Sequence, residues 1–160
     1  MKFPKIMTSY PAKMSKNMLI VRVALAGIFT VMALTQLIAF EKFPDIIAAL
    51  LPGSIRGWAD MVAVAIVSLE VVAVPSLLVV PLSKAARWVS RFAGLVVVML
   101  WYGLIFSGIL RTYELNSGLL GEKIFVPANL AWLIAMVALF SILLFVQARD
   151  IRSLEKRRKK

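Results

Sequence analysis

One ionisable side chain lies where ionisation is expensive. Glu70 falls near the middle of Met61 to Val80, MVAVAIVSLEVVAVPSLLVV, a stretch otherwise almost wholly apolar. A run of about 20 apolar residues is long enough to cross the ~30 Å hydrocarbon core of a bilayer. An ionised acid at that depth costs roughly 2.5–3.5 kcal/mol on insertion scales. Glu70 is therefore protonated, paired with a neighbouring helix, or facing a wet cavity. Pro75, which has no backbone donor, is expected to bend the helix just past the carboxyl. Two readings of Glu70 stand side by side: inert interhelical glue, or a proton, ion or ligand site.

Other polar side chains within apolar stretches are Gln36, Tyr102 and Asn129. Ranked by depth, Tyr102 is the nearest candidate partner for Glu70, with Trp101 beside it, while Gln36 and Asn129 lie closer to the surface. Gln36, Glu70, Tyr102 and Asn129 together define a candidate intramembrane polar pocket. The plainer reading of Tyr102, Trp101 and Trp132 is packing or interface anchoring, and that of Asn129 is a helix cap. Cysteine and histidine are both absent. The chain alone can therefore build no disulfide, no Cys- or His-ligated metal centre and no thiolate nucleophile. No metal site and no catalytic residue is assigned.

The elements that must position these residues follow from composition. The chain has 160 residues and is 61% hydrophobic, far above the usual share of a soluble domain, so an integral membrane protein is expected. Residues 1–17 form a basic arm with Lys2, Lys5, Lys13 and Lys16 and no acid. The run from Met18 to Phe40 is too long for a signal-peptide core and lacks a cleavage site, so a retained first span is expected. Phe43, Ile46, Ile47, Leu50 and Leu51 recur on one helical face, with Pro44 at its start and Pro52-Gly53 after it. A short amphipathic interfacial helix fits that pattern. Further spans are expected over about 58–80, 89–110 and 125–146, followed by a basic tail over 148–160.

Fifteen of the nineteen basic residues fall in the arm together with Arg22, in the connection around Lys84, Arg87 and Arg91, and in the tail. The other connections carry Glu41, Asp45, Asp60, Glu114 and Glu122. By the positive-inside rule both termini are cytoplasmic and the acidic connections face outward. The net charge of +11 then serves topology and contact with anionic lipid, and a nucleic-acid partner is not expected. Short connections imply an all-α, antiparallel four-helix bundle with a short outward-facing interfacial helix between the first two spans. Small residues mark expected close contacts: Ala24, Gly27, Ala33, Ala63, Ala65, Ala73, Gly94, Gly103 and Gly108.

Three stretches resemble the DoxX/MauE group of small four-helix bacterial membrane proteins. Phe29-x-x-Met32-Ala33-x-x-Gln36-Leu37 is similar to the group's F-x-x-A-G-x-x-K-L, and Leu69-Glu70 to its L-E before a long apolar run. Asn116-Ser117-Gly118-Leu119-Leu120-Gly121-Glu122 is similar to the N/D-C-G-C-F-G element of MauE proteins. The resemblance spans roughly Val21 to Arg149 and implies an inner-membrane accessory protein beside a periplasmic or quinone-linked redox system. Maturation of the methylamine-utilisation type is what the MauE likeness implies. The departures matter as well. Ser117 and Leu119 stand where MauE proteins have cysteines, so this chain can perform no thiol exchange. Gln36 replaces the group's lysine and supplies no compensating charge to Glu70, so Glu70 is expected to be protonated in the resting state more readily than in typical relatives.

The 116–122 segment reads either as a glycine turn or as a loop that docks a partner protein through Asn116, Ser117, Gly118, Gly121 and Glu122. Function classes rank accordingly. An accessory membrane subunit comes first, a small proton-coupled transporter using Glu70 second, and an enzyme last, because no nucleophile–base pair or phosphate loop is present. No cofactor motif occurs, and a quinone is the one ligand that the resemblance leaves open. Oligomerisation is also open.

Overall fold

The computed structural model describes residues 15–78, 80–110 and 115–158, with 150–158 as backbone alone. Most of the basic arm, residues 1–14, and the side chains of 150–160 lie outside the described residues, as does Glu114. The structure is all-helical. Its helices are α1 (Lys16–Ile38), α2 (Phe43–Leu50), a 3-10 turn (Gly53–Trp58), α3 (Ala59–Leu77), α4 (Lys84–Ile109) and α5 (Leu130–Arg158). Among the described residues the only β feature is an isolated bridge between Asn116 and Pro127. Four helical stretches, all but α2, are long and apolar enough to cross a membrane.

Helix ends follow local chemistry. Ser15 accepts from the Met18 amide to start α1, and Ser83 accepts from the Ala86 amide to start α4. Because Ser83 caps there, Lys84, Arg87 and Arg91 stand inside the first turns of α4 and not in a separate basic connection. The Asn129 side chain accepts from the Trp132 amide and its carbonyl from the Leu133 amide, so α5 begins at Leu130, five residues later than hydropathy suggests. At its other end α5 runs on to Arg158, so the boundary expected at 147/148 is not a break in the helix.

Helix α3 packs against both α1 and α4, and α4 packs against α5. Helix α2 turns Phe43, Ile47 and Leu50 inward, all fully buried against α3 and α4. Its apolar face thus closes one end of the molecule. The Ser107 hydroxyl donates to the Leu50 carbonyl at 2.7 Å and satisfies the end of α2. The small-residue expectation holds in part. Ala33, Ala63, Ala73, Gly94 and Gly108 are buried at contacts, whereas Ala24, Gly27, Ala65 and Gly103 are exposed.

Pro75 falls within the last turns of α3 and cannot donate to the Val71 carbonyl one turn back. The next bond of the ladder, from Ser76 to Val72, is bridged by a serine from α4. Ser90 Oγ accepts from the Ser76 amide at 3.1 Å and donates to the Val72 carbonyl at 2.6 Å, with the Ala73 carbonyl at 3.2 Å. The Ser76 carbonyl accepts from the Arg22 guanidinium at 3.3 Å. Arg22, counted by sequence among the flanking charges, is buried. In hydrocarbon no water can repair a broken turn, so these side chains do it.

Ser90→Ala should therefore lower stability by about 1–3 kcal/mol, the usual cost of stranding a buried donor. Adding Pro75→Ala, which removes the ring and lets the turn close so that the Ser76 amide can donate directly to the Val72 carbonyl, should recover part of that loss. Thermal unfolding of the single and double variants in detergent measures the coupling.

Candidate functional site

The site is centred on Glu70, which is fully buried on the inward face of α3. Its Oε1 accepts two hydrogen bonds, from Trp101 Nε1 of α4 at 2.8 Å and from Gln36 Nε2 of α1 at 3.3 Å. Gln36 Nε2 also donates to the Leu119 carbonyl at 3.2 Å. Two acceptors on that side of the amide fix its orientation, since the amide oxygen could not serve either. One carboxyl thus links three helices and the 115–128 segment.

Both donors are neutral, so among the described residues Glu70 is hydrogen-bonded to no counter-charge. Among the same residues three polar atoms in this region are buried without a hydrogen-bond partner: Glu70 Oε2, Gln36 Oε1 and Ser117 Oγ. Unmatched polar atoms are uncommon in protein interiors and each costs of the order of 1–3 kcal/mol. Phe43 of α2 lies against Trp101, ring centroids 6.3 Å apart, and seals the cluster from the α2 side.

The four residues of the candidate pocket divide. Gln36 and Glu70 meet directly. Tyr102 and Asn129 do not join them. Adjacent helical residues point about 100° apart. The inward face of α4 runs through Gly94, Val97, Val98, Trp101, Leu104, Ile105 and Gly108, so Trp101 faces Glu70. Tyr102 stacks instead on Phe106, one turn on, with centroids 6.3 Å apart. Asn129 is exposed and its carboxamide is occupied in capping α5. The helical phase of α4 was the signal that could have picked Trp101. Nothing in sequence pointed to the Leu119 carbonyl.

The 116–122 segment is folded into the molecule rather than held out from it. Ser117, Gly118, Leu119 and Gly121 are all buried. Asn116 Oδ1 accepts from the Gly118 and Val126 amides, and its Nδ2 donates to the Gly121 carbonyl. The Ser117 amide donates to the Val126 carbonyl at 2.7 Å, and the Ala128 amide to the Leu115 carbonyl at 2.9 Å. Gly118 and Gly121 have φ of 74° and 68°, in the left-handed region. A Cβ on Gly121 would stand 2.6 Å from the Thr35 carbonyl oxygen. Those glycines let the segment turn tightly, Gly121 against α1 and Gly118 against α2, and deliver Leu119 to Gln36. Of the five residues proposed to dock a partner, only Glu122 is exposed, and it accepts an ion pair from Lys42 at 2.9 Å. The hydrogen bond and charge of Glu122 raise the Lys42 pKa above its ordinary value. Whatever the pair contributes is therefore present at neutral pH, and on the alkaline side it is lost as pH climbs through that raised value.

No group of three or more acidic, histidine or cysteine side chains that could hold a metal occurs among the described residues. No protein-family model, curated protein or solved structure matches the chain.

Trp101→Phe removes the shorter of the two donors to Glu70 and should cost about 1–3 kcal/mol. Gly121→Ala should destabilise more than Gly27→Ala, because only the former meets both a positive φ and a backbone oxygen. Unfolding midpoints of these variants, measured in one detergent, test both orderings.

Proposed function

We propose that this chain is an integral membrane accessory protein of the DoxX/MauE type. In this reading the four long helices form an antiparallel bundle in the bacterial inner membrane, with both termini cytoplasmic. Helix α2 and the 115–128 segment then face the periplasm. The protein serves a periplasmic or quinone-linked redox system, of which methylamine-utilisation-type maturation is the example the resemblance implies. It contributes no thiol chemistry of its own.

The observation that carries this reading is convergence. The three stretches that resemble the family are separated in sequence, yet Gln36 of the first bonds both Glu70 of the second and Leu119 of the third. That three separated stretches meet in one hydrogen-bonded cluster supports reading them as a unit. Partner contact is assigned to the exposed rim, Lys42 and Glu122, rather than to the buried turn.

A second reading, a small proton-coupled transporter using Glu70, is favoured by the unmatched Glu70 Oε2. Purification in mild detergent, with mass spectrometry of what is retained, separates the two. An accessory role predicts a cofactor-bearing redox protein that wild type retains and Glu122→Lys loses. Retention of no such protein, together with proton-coupled solute counterflow that fails in Glu70→Gln, would replace the accessory reading by the transporter.

A further inference from the structure

Helices α1 and α5 are the outermost members of the α1–α3–α4–α5 packing order, and a cleft of about 500 Å³ lies between them. Gly27 and Met32 form one wall and Trp132, Met136 and Leu139 the other, while Leu119 closes one end. Every side chain lining it is apolar except for the indole N–H of Trp132, which has no hydrogen-bond partner among the described residues. Both walls belong to helices long and apolar enough to span a membrane. The cleft therefore opens toward hydrocarbon, not water.

Trp132 to Leu139 is seven residues, or about 10 Å of helix axis, room for part of an extended acyl chain. The same 10 Å falls within the ~15 Å depth of a single leaflet, half of a ~30 Å hydrocarbon core. Trp132 stands in the first turn of α5, where an indole meets the polar boundary of a bilayer. An indole N–H there suits a single acceptor such as an ester carbonyl. A ring headgroup with several carbonyls would find no second donor in the lining.

We propose that this cleft is a binding site for one membrane phospholipid, with an acyl chain between α1 and α5 and its glycerol-ester end at Trp132. The inference rests on the membrane-spanning reading above and not on the redox assignment. A bound chain would back Leu119, whose carbonyl holds Gln36 and through it Glu70. The lipid would thus act as the missing packing partner of the polar cluster.

Two glycines provide a matched test. Gly27 and Gly103 are both exposed and helical, and a Cβ on either meets no atom within 4 Å. Only Gly27 lines the cleft. Wild type, Gly27→Leu and Gly103→Leu are purified from membranes, washed in detergent and weighed by native mass spectrometry. Thermal stability is then followed as dioleoyl phosphatidylglycerol is added back. The expected result is one phospholipid mass on wild type and Gly103→Leu, lost in Gly27→Leu, with lipid-dependent stabilisation in the first two alone. Equal retention by all three proteins overturns the site. So does a bare wild type, an isoprenoid quinone in place of phospholipid, or a dimer that Gly27→Leu dissociates. Failure of the wild type to fractionate with membranes would instead remove the membrane reading itself.

Discussion

Burying one carboxyl in an apolar interior constrains everything around it. Glu70 can be tolerated at the centre of α3 only if neighbouring elements bring donors to it, and the fold supplies them from both sides. Trp101 does so with a rigid ring that also fills core volume. Gln36 does so with an amide whose second proton is fixed by the Leu119 carbonyl. The positions of α1, α4 and the 115–128 segment are thus tied to one atom, Glu70 Oε1. Association of helices in lipid draws little on the hydrophobic effect, so a polar joint of this kind carries specificity that apolar packing alone would not.

A second polar joint lies toward the other end of α3. There Ser90 and Arg22 complete the turn that Pro75 interrupts. The two joints share a logic, because each places a side chain from a neighbouring helix where a polar group would otherwise face hydrocarbon. Around Glu70, among the described residues, three buried atoms stay unmatched. An interior that leaves polar capacity unused has kept something other than maximum stability there, which makes Glu70 the functional candidate.

Much of this architecture was legible in the chain. The four long apolar runs, the Pro44-started amphipathic helix and the stop at Pro52-Gly53 all follow from hydropathy and backbone chemistry, which act locally. The Gln36 and Glu70 members of the polar cluster were visible as polar residues in apolar stretches. Tyr102 and Trp101 lie at nearly one depth, and only the helical phase of α4 separates them. The 116–122 segment hides its placement for a related reason. Glycines and a serine look like an exposed turn, and composition does not reveal that the turn folds back onto α1.

The sequence by itself determined the class, the helices and the exclusion of cysteine and histidine chemistry, since these depend on residue type and on periods of a few residues. Only the tertiary structure decided which donors reach Glu70, that Leu119 clamps Gln36, and that α1 and α5 leave a cleft between them. Those features depend on the rotation of each helix about its axis and on where a loop returns. Both are set by packing between residues far apart in the chain, which no local pattern records.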